Sequence, residues 1–166
     1  MEKRKYPIGA EIVEGGVHFR VWAPDHQKVD VVLEEFEKEP LFYPMEKEKD
    51  GYFSLLVNTA KSRSLYRYRL SNSVKFYVDP ASRYQPSGPN GPSCVVDTNF
   101  GWTDQKWPGA GAQGHVVYEM HIATFTQEGT FKAAMQELSE LKNLGITLIE
   151  IMPINDFPGH YRRGFL

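Results

Sequence analysis

Cysteine is nearly absent: the 166 residues hold one, Cys94. A lone thiol closes no intrachain disulfide and offers no second sulfur to a metal. A disulfide-stapled secreted scaffold and a thiolate zinc site are therefore excluded, and a reducing cytoplasm is the expected compartment, with Cys94 inert. Long apolar runs are missing too. No stretch approaches the roughly 18 residues a membrane helix needs, and the basic opening Met1 to Lys5 is followed by no apolar core of a secretory leader. Neither sign of charge dominates: 19 Lys and Arg stand interspersed with 21 Asp and Glu. That balance leaves no electrostatic footprint for nucleic acid or an anionic membrane, so neither is expected as a partner. The histidines His18, His26, His115, His121 and His160 follow no metal-ligand spacing. No internal repeat, phosphate-cradling glycine loop or nucleophile elbow is found. Neither a metal nor a cofactor is expected.

What is present is a globular composition, 41% hydrophobic, with period-2 alternation through the first part of the chain. In VHFRVW, Val17, Phe19 and Val21 share one face while His18, Arg20 and Trp22 share the other, the pattern of a half-buried strand. The preceding AEIVE joins it through Gly15-Gly16, which reads as a hairpin turn. KVDVVLE sets Val29, Val31 and Leu33 against Asp30 and Glu34, and PLFYPM and GYFSLLV flank a charged turn ending in Asp50-Gly51. LYRYRL opposes Tyr66, Tyr68 and Leu70 to Arg67 and Arg69, and VKFYV follows a short SNS turn. Such spacing predicts an immunoglobulin-like β-sandwich over 1–78.

Between Asp79 and Gly114 proline and glycine break every periodicity, which predicts a linker over 79–114. Tyr84, Val95, Val96, Phe100, Trp102 and Trp107 make it too apolar for a loose tether, so it is expected to lie strapped along its neighbours, with Trp102 and Trp107 packed beneath. From His115 onward an apolar strand, an amphipathic helix from Thr130 to Leu144 and a second apolar strand form one βαβ unit. Phe131, Ala134, Met135, Leu138, Leu141 and Leu144 give the helix one stripe to bury, Thr130 is a fitting N-cap and Gly145 a fitting C′ residue. The flanking strands are nearly all apolar, as in parallel strands buried on both faces, and His121 within the first reads as a structural histidine.

The wording itself is familiar. FRVWAP (Phe19 to Pro24), VDPASRYQPSGPNGPSCVVD (Val78 to Asp97), FGWTDQKWPG (Phe100 to Gly109), VVYEMHIATFTQEGTFKAA (Val116 to Ala134) and LGITLIEIMPINDFPG (Leu144 to Gly159) resemble the N-terminal part of the malto-oligosyltrehalose trehalohydrolases. These are a branch of the α-amylase clan, glycoside hydrolase family 13, active in trehalose biosynthesis. The resemblance implies a mainly β chain with a small α/β part: a sandwich of starch-module type, a linker, and over 115–166 the opening of a (β/α)₈ barrel. The family hydrolyses an α-1,4 bond by the retaining scheme, with an attacking and a proton-donating carboxylate about 5–5.5 Å apart. A third carboxylate holds sugar hydroxyls, and all three stand on barrel strands later than the two found here.

No catalytic residue is therefore carried over. Glu119 and Glu150 could face each other on adjacent strands, but a solvent or salt-bridge role is the plainer reading, and Asp156 lacks a partner. After FPG the family continues with a word like RRNWGYDGV, whose tyrosine stacks on sugar; here HYRRGFL puts Phe165 at that position and Leu166 at the aspartate's. A frameshift or early stop would give such an ending. The expected function is thus that of a truncated, inactive fragment of a trehalohydrolase. The alternative is an α-glucan-binding or interaction module without catalysis. Candidate substrate-binding residues are Phe165, Trp22 and Trp107, with Tyr43 and Trp102 as further rings; Trp22 reads more plainly as a core or interdomain residue. Expected partners are a maltooligosaccharide and a second copy of the chain, paired through 115–166.

Overall fold

Alternation in the sequence becomes two facing sheets in the first of the two compact units, Met1–Phe100 and Gly101–Leu166. The structure, a computed structural model, describes residues 4–35, 37–71, 73–111 and 113–154. The candidates Asp156, His160 and Phe165 lie outside them. Strands β1 (Gly9–Val13), β2 (Gly16–Trp22), β6 (Tyr52–Val57) and β5 (Glu46–Lys47) form one antiparallel sheet in the order β1-β2-β6-β5. Strands β4 (Leu41–Pro44), β3 (Val29–Glu34), β7 (Leu65–Leu70) and β8 (Phe76–Tyr77) form the second in that order, and β9 (Ser93–Cys94) pairs with β7.

The β1–β2 turn is Glu14-Gly15, because Val13 already pairs with Gly16. Gly16 has φ +147°, and a Cβ there would meet the Val57 carbonyl oxygen at 2.4 Å, so only glycine lets β6 approach. Val17, Phe19, Val21, Phe53 and Val57 of one sheet and Val29, Val31, Tyr66 and Tyr68 of the other form the buried core. Phe19 meets Tyr66 edge-on with ring centroids 4.9 Å apart, a contact that ties the two sheets together.

The first part of the expected linker belongs to this core. Asp79 is buried; its Oδ2 accepts from the Tyr66 hydroxyl at 2.6 Å and from that of Tyr68 at 3.4 Å, and its Oδ1 from the Ala81 amide at 2.8 Å. The Asp79 amide in turn donates to Ser93 Oγ at 3.2 Å. Val95 is fully buried, and Arg63 and Val95 exchange main-chain bonds with neighbours of the same unit. The residues from Asp79 to Val95 are therefore stitched to the second sheet, and the compact unit runs on to Phe100.

In the second unit β10 (Val117–Met120) and β11 (Leu148–Ile151) pair in parallel, with Glu119 opposite Glu150. Between them lie α1 (Ile122–Phe125), α2 (Phe131–Gln136) and α3 (Leu138–Asn143). The expected single helix is thus two, divided at Glu137 (φ −88°, ψ −4°), and α1 is an addition. Both predicted ends hold: Thr130 accepts from the Ala133 amide, and the amides of Gly145 and Ile146 return to the carbonyls of Lys142 and Leu141 in a Schellman closure. The predicted stripe is only partly covered. Ala134 and Leu141 are buried with Met120, whereas Phe131, Met135, Leu138 and Leu144 are exposed, because two four-residue strands offer too little sheet to cover them. For the same reason the strands are not buried on both faces: Val117 and Ile151 are exposed. His121 follows β10 as the N-terminal flanking residue of α1, not as a strand residue.

Candidate functional site

The outward positions of β2 and β6 alternate with the core and come together by register: Trp22 faces Tyr52, Arg20 faces Ser54 and His18 faces Leu56. Trp22 is not a core residue; it is 58% exposed. Its indole is nonetheless held, since Nε1 donates to the Asp50 carbonyl at 3.0 Å. Asp50 has φ +59° and Gly51 φ +81°, and that tight turn places the carbonyl beside the end of β2.

Next along the face, Arg20 lies over the Tyr52 ring, 3.8 Å from its centroid. Its Nε and Nη2 donate to the Glu48 carboxylate at 2.8–3.1 Å and its Nη1 to the Pro7 carbonyl at 2.6 Å. One face of this guanidinium lies against the Tyr52 ring and all three nitrogens donate, so it is a fixed wall and not a free cation. The Arg20 bonds hold the Glu48 carboxyl below the usual carboxylate range.

Beyond the wall a pocket of about 480 Å³ is lined by Val13, Glu14, His18, Glu46, Ser54, Leu55 and Leu56. His18 Nδ1 lies 2.5 Å from Arg4 Nη1. Arginine can only donate, so Nδ1 accepts and the ring proton sits on Nε2. Burial first, then the Arg4 charge, push the His18 pKa below its ordinary value. Arg4 also donates to the carbonyls of His18 and Gly9, each at 2.8 Å, and Glu11 accepts from the amides of Lys5 and Tyr6, which fastens the residues before β1.

The other sequence candidates do not join this face. Trp107 is 66% exposed in the second unit, beside a cavity of about 620 Å³ with His115 and Thr147, and Trp102 is exposed as well, so neither packs beneath a linker. Tyr43 is half-buried against the core and bonds Thr59 through its hydroxyl. Cys94 is buried. Among the described residues no cluster of His, Cys, Asp and Glu could hold a metal. The sequence marked His18, Arg20 and Trp22 as sharing one face, but Tyr52, Ser54, Glu46 and Glu48 reach it only through strand pairing, which no local pattern announces. Asp79 escaped notice for the same reason.

The molecule can now be set beside known proteins. Residues 7–82 match the family carbohydrate-binding module 48, the isoamylase N-terminal domain. A malto-oligosyltrehalose trehalohydrolase from Saccharolobus solfataricus is 39% identical over 158 residues, 95% of this chain and 27% of its own length. By sequence, the chain corresponds to the N-terminal part of the malto-oligosyltrehalose trehalohydrolases. It spans about a quarter of the length of these curated relatives. A candidate alpha amylase from Salmonella typhimurium has a crystal structure that superposes with a TM-score of 0.79 at 41% identity, over 92% of this chain and 26% of that one. A pullulanase from Anoxybacillus sp. LM18-11, solved with maltotetraose, gives 0.73 at 28% identity, over 92% and 26%. The β-sandwich with a short α/β part is thus an arrangement shared with these solved alpha-amylase-type relatives over the matched length.

Proposed function

We propose that this chain supplies the carbohydrate-binding module and the first βαβ unit of a malto-oligosyltrehalose trehalohydrolase, and that by itself it releases no trehalose. One observation supports the second half. The only opposed carboxylates on β10 and β11, Glu119 and Glu150, are both exposed. A retaining hydrolase needs its two carboxyl groups flanking the scissile bond within a substrate-enclosing site, and two solvent-exposed side chains on a two-stranded sheet enclose nothing. Incubation with malto-oligosyltrehalose and an assay for trehalose tests the proposal. The domain assignment that goes with it is a sandwich over 1–78, an ordered linker over 79–114 whose first part is stitched into the sandwich, and the barrel opening over 115–166.

A second reading is favoured by Trp22: the sandwich holds an α-glucan non-catalytically. An indole that is open on its face and pinned through its nitrogen is a ready platform for the apolar side of a pyranose. The exposed apolar residues Val116, Val117, Phe131, Met135, Leu144 and Ile151 support self-association through 115–166. No helix among the described residues is long and apolar enough to cross a membrane; the buried, solitary Cys94 supports a cytoplasmic setting.

A further inference from the structure

We infer that Asn90 is a site of spontaneous covalent modification, loss of its side-chain amide through a cyclic imide, and that the Gln85 side chain is the lock that holds the rate down.

Asn90 is the only asparagine of the chain followed by glycine. That order is the most reactive one, because no side chain on the next residue shields the main-chain nitrogen. The Gly91 nitrogen gives up its proton and attacks Asn90 Cγ; the N–Cγ bond forms, the Cγ–Nδ2 bond breaks and ammonia leaves with the proton. Water then opens the five-membered ring at either carbonyl. The product is aspartate or, with the main chain rerouted through the side chain, isoaspartate. Asn90 is exposed, so water and base reach it. A bulkier residue after the asparagine would slow the reaction, but the fold excludes one: Gly91 is buried, and a Cβ on it would stand 2.7 Å from Ser87 Cβ.

Protection has to come from hydrogen bonds, and the turn provides them. Residues 85–88 and 88–91 form two successive tight turns, closed by the Gly88 amide on the Gln85 carbonyl at 3.1 Å and the Gly91 amide on the Gly88 carbonyl at 2.8 Å. The nitrogen that must attack is therefore engaged as a donor and keeps its proton. Gln85 Nε2 donates to the Pro89 carbonyl at 2.8 Å and to the Gly91 carbonyl at 3.3 Å, which brackets Asn90 on both sides. Ring closure swings the Asn90–Gly91 peptide toward the Asn90 side chain, and these bonds resist that rotation. The base of the lock is seated in turn, since the Cys94 amide donates to the Tyr84 carbonyl at 2.8 Å.

Modification here would reach the core. Isoaspartate lengthens the main chain directly before the buried run Gly91 to Val95. Within that run Ser93 accepts from the Asp79 amide and pairs with Tyr66 of β7, so the displaced chain loosens the segment that is stitched to the second sheet.

Incubation of the full chain in mildly alkaline buffer, followed by peptide mass spectrometry of residues 85–94, tests this. Asn90 is expected to lose its amide at least about tenfold more slowly in the folded chain than in urea, where the turn is open. Gln85→Ala and Gln85→Met, the latter keeping length without a donor, should each speed the folded-state reaction about fivefold, the size of one net hydrogen bond. Conversion at Asn58 and Asn143 should be the same in both variants as in wild type. The separated isoaspartyl form should unfold at lower urea than the unmodified chain. Equal rates in the folded chain and in urea, or wild-type rates in both Gln85 variants verified as folded, would overturn the lock. An Asn90 that stays intact even in urea would remove the site itself.

Discussion

Asp79 and His18 are two titratable side chains whose settings pull stability in opposite directions with pH. Burial raises the Asp79 carboxyl above its ordinary 3.8, so the folded state holds its proton more tightly than the unfolded chain does. Its contribution is complete below that ordinary value and is lost as pH rises through the raised one. Asp79→Asn removes this titration, so the urea midpoint of wild type relative to the variant should fall as pH rises through that window; a gap that widens instead would contradict the assignment. Asp79→Ala leaves the buried Tyr66 and Tyr68 hydroxyls without their acceptor and should cost about 2–4 kcal/mol in urea unfolding. His18 is depressed below its ordinary 6.5, chiefly by burial and then by Arg4, with Arg20 also lowering it and Glu48 and Glu11 opposing. Stability from the His18–Arg4 contact is therefore present above that value and lost as pH falls through the lowered one. Amide exchange at Arg4 to Glu11 should quicken on acidification through this range, and Arg4→Met should abolish that pH dependence. Neither behaviour was legible in the sequence. Asp79 meets partners 11 to 14 positions away, and His18 looked like any outward strand residue; only the sheet pairing buries them.

Strands and turns were far more legible, because the signals that place them are local. The alternation of Val17, Phe19 and Val21 and of Tyr66 and Tyr68 gave inward faces that the core confirms. Asp30 shows the limit of that reasoning: an outward residue by period, it is buried because Arg69 closes over it with a 2.7 Å ion pair. The helix was misread in length and burial, since periodicity says which residues could be covered and not whether a partner covers them. Its ends, set by local chemistry, came out correctly. Thr130→Ala should destabilise the second unit by about 1 kcal/mol through loss of the cap. Gly16→Ala is expected to be worse, because the added carbon collides with the main chain of β6; a variant with an unchanged urea midpoint would show that the hairpin can shift without penalty.

At the scale of the molecule, the two units differ in how completely they bury their apolar groups. The sandwich encloses its core between two sheets, whereas β10 and β11 each keep one edge unpaired among the described residues and carry exposed aliphatic side chains. An open edge with an apolar face is a template for pairing with another chain. Light scattering of the full chain should therefore show concentration-dependent association that Val117→Lys and Ile151→Lys relieve, and a strictly monomeric wild type would refute the proposal. The sandwich class and the βαβ order could be read from the sequence, because period-2 and period-3.6 patterns persist there; the division near Phe100 could not, because residues 79–95 are irregular and are held by the Asp79 bonds. The most direct test of the central proposal is trehalose release from malto-oligosyltrehalose by the purified chain. No trehalose above a protein-free control is expected; turnover that follows this protein through two successive purification steps would contradict it.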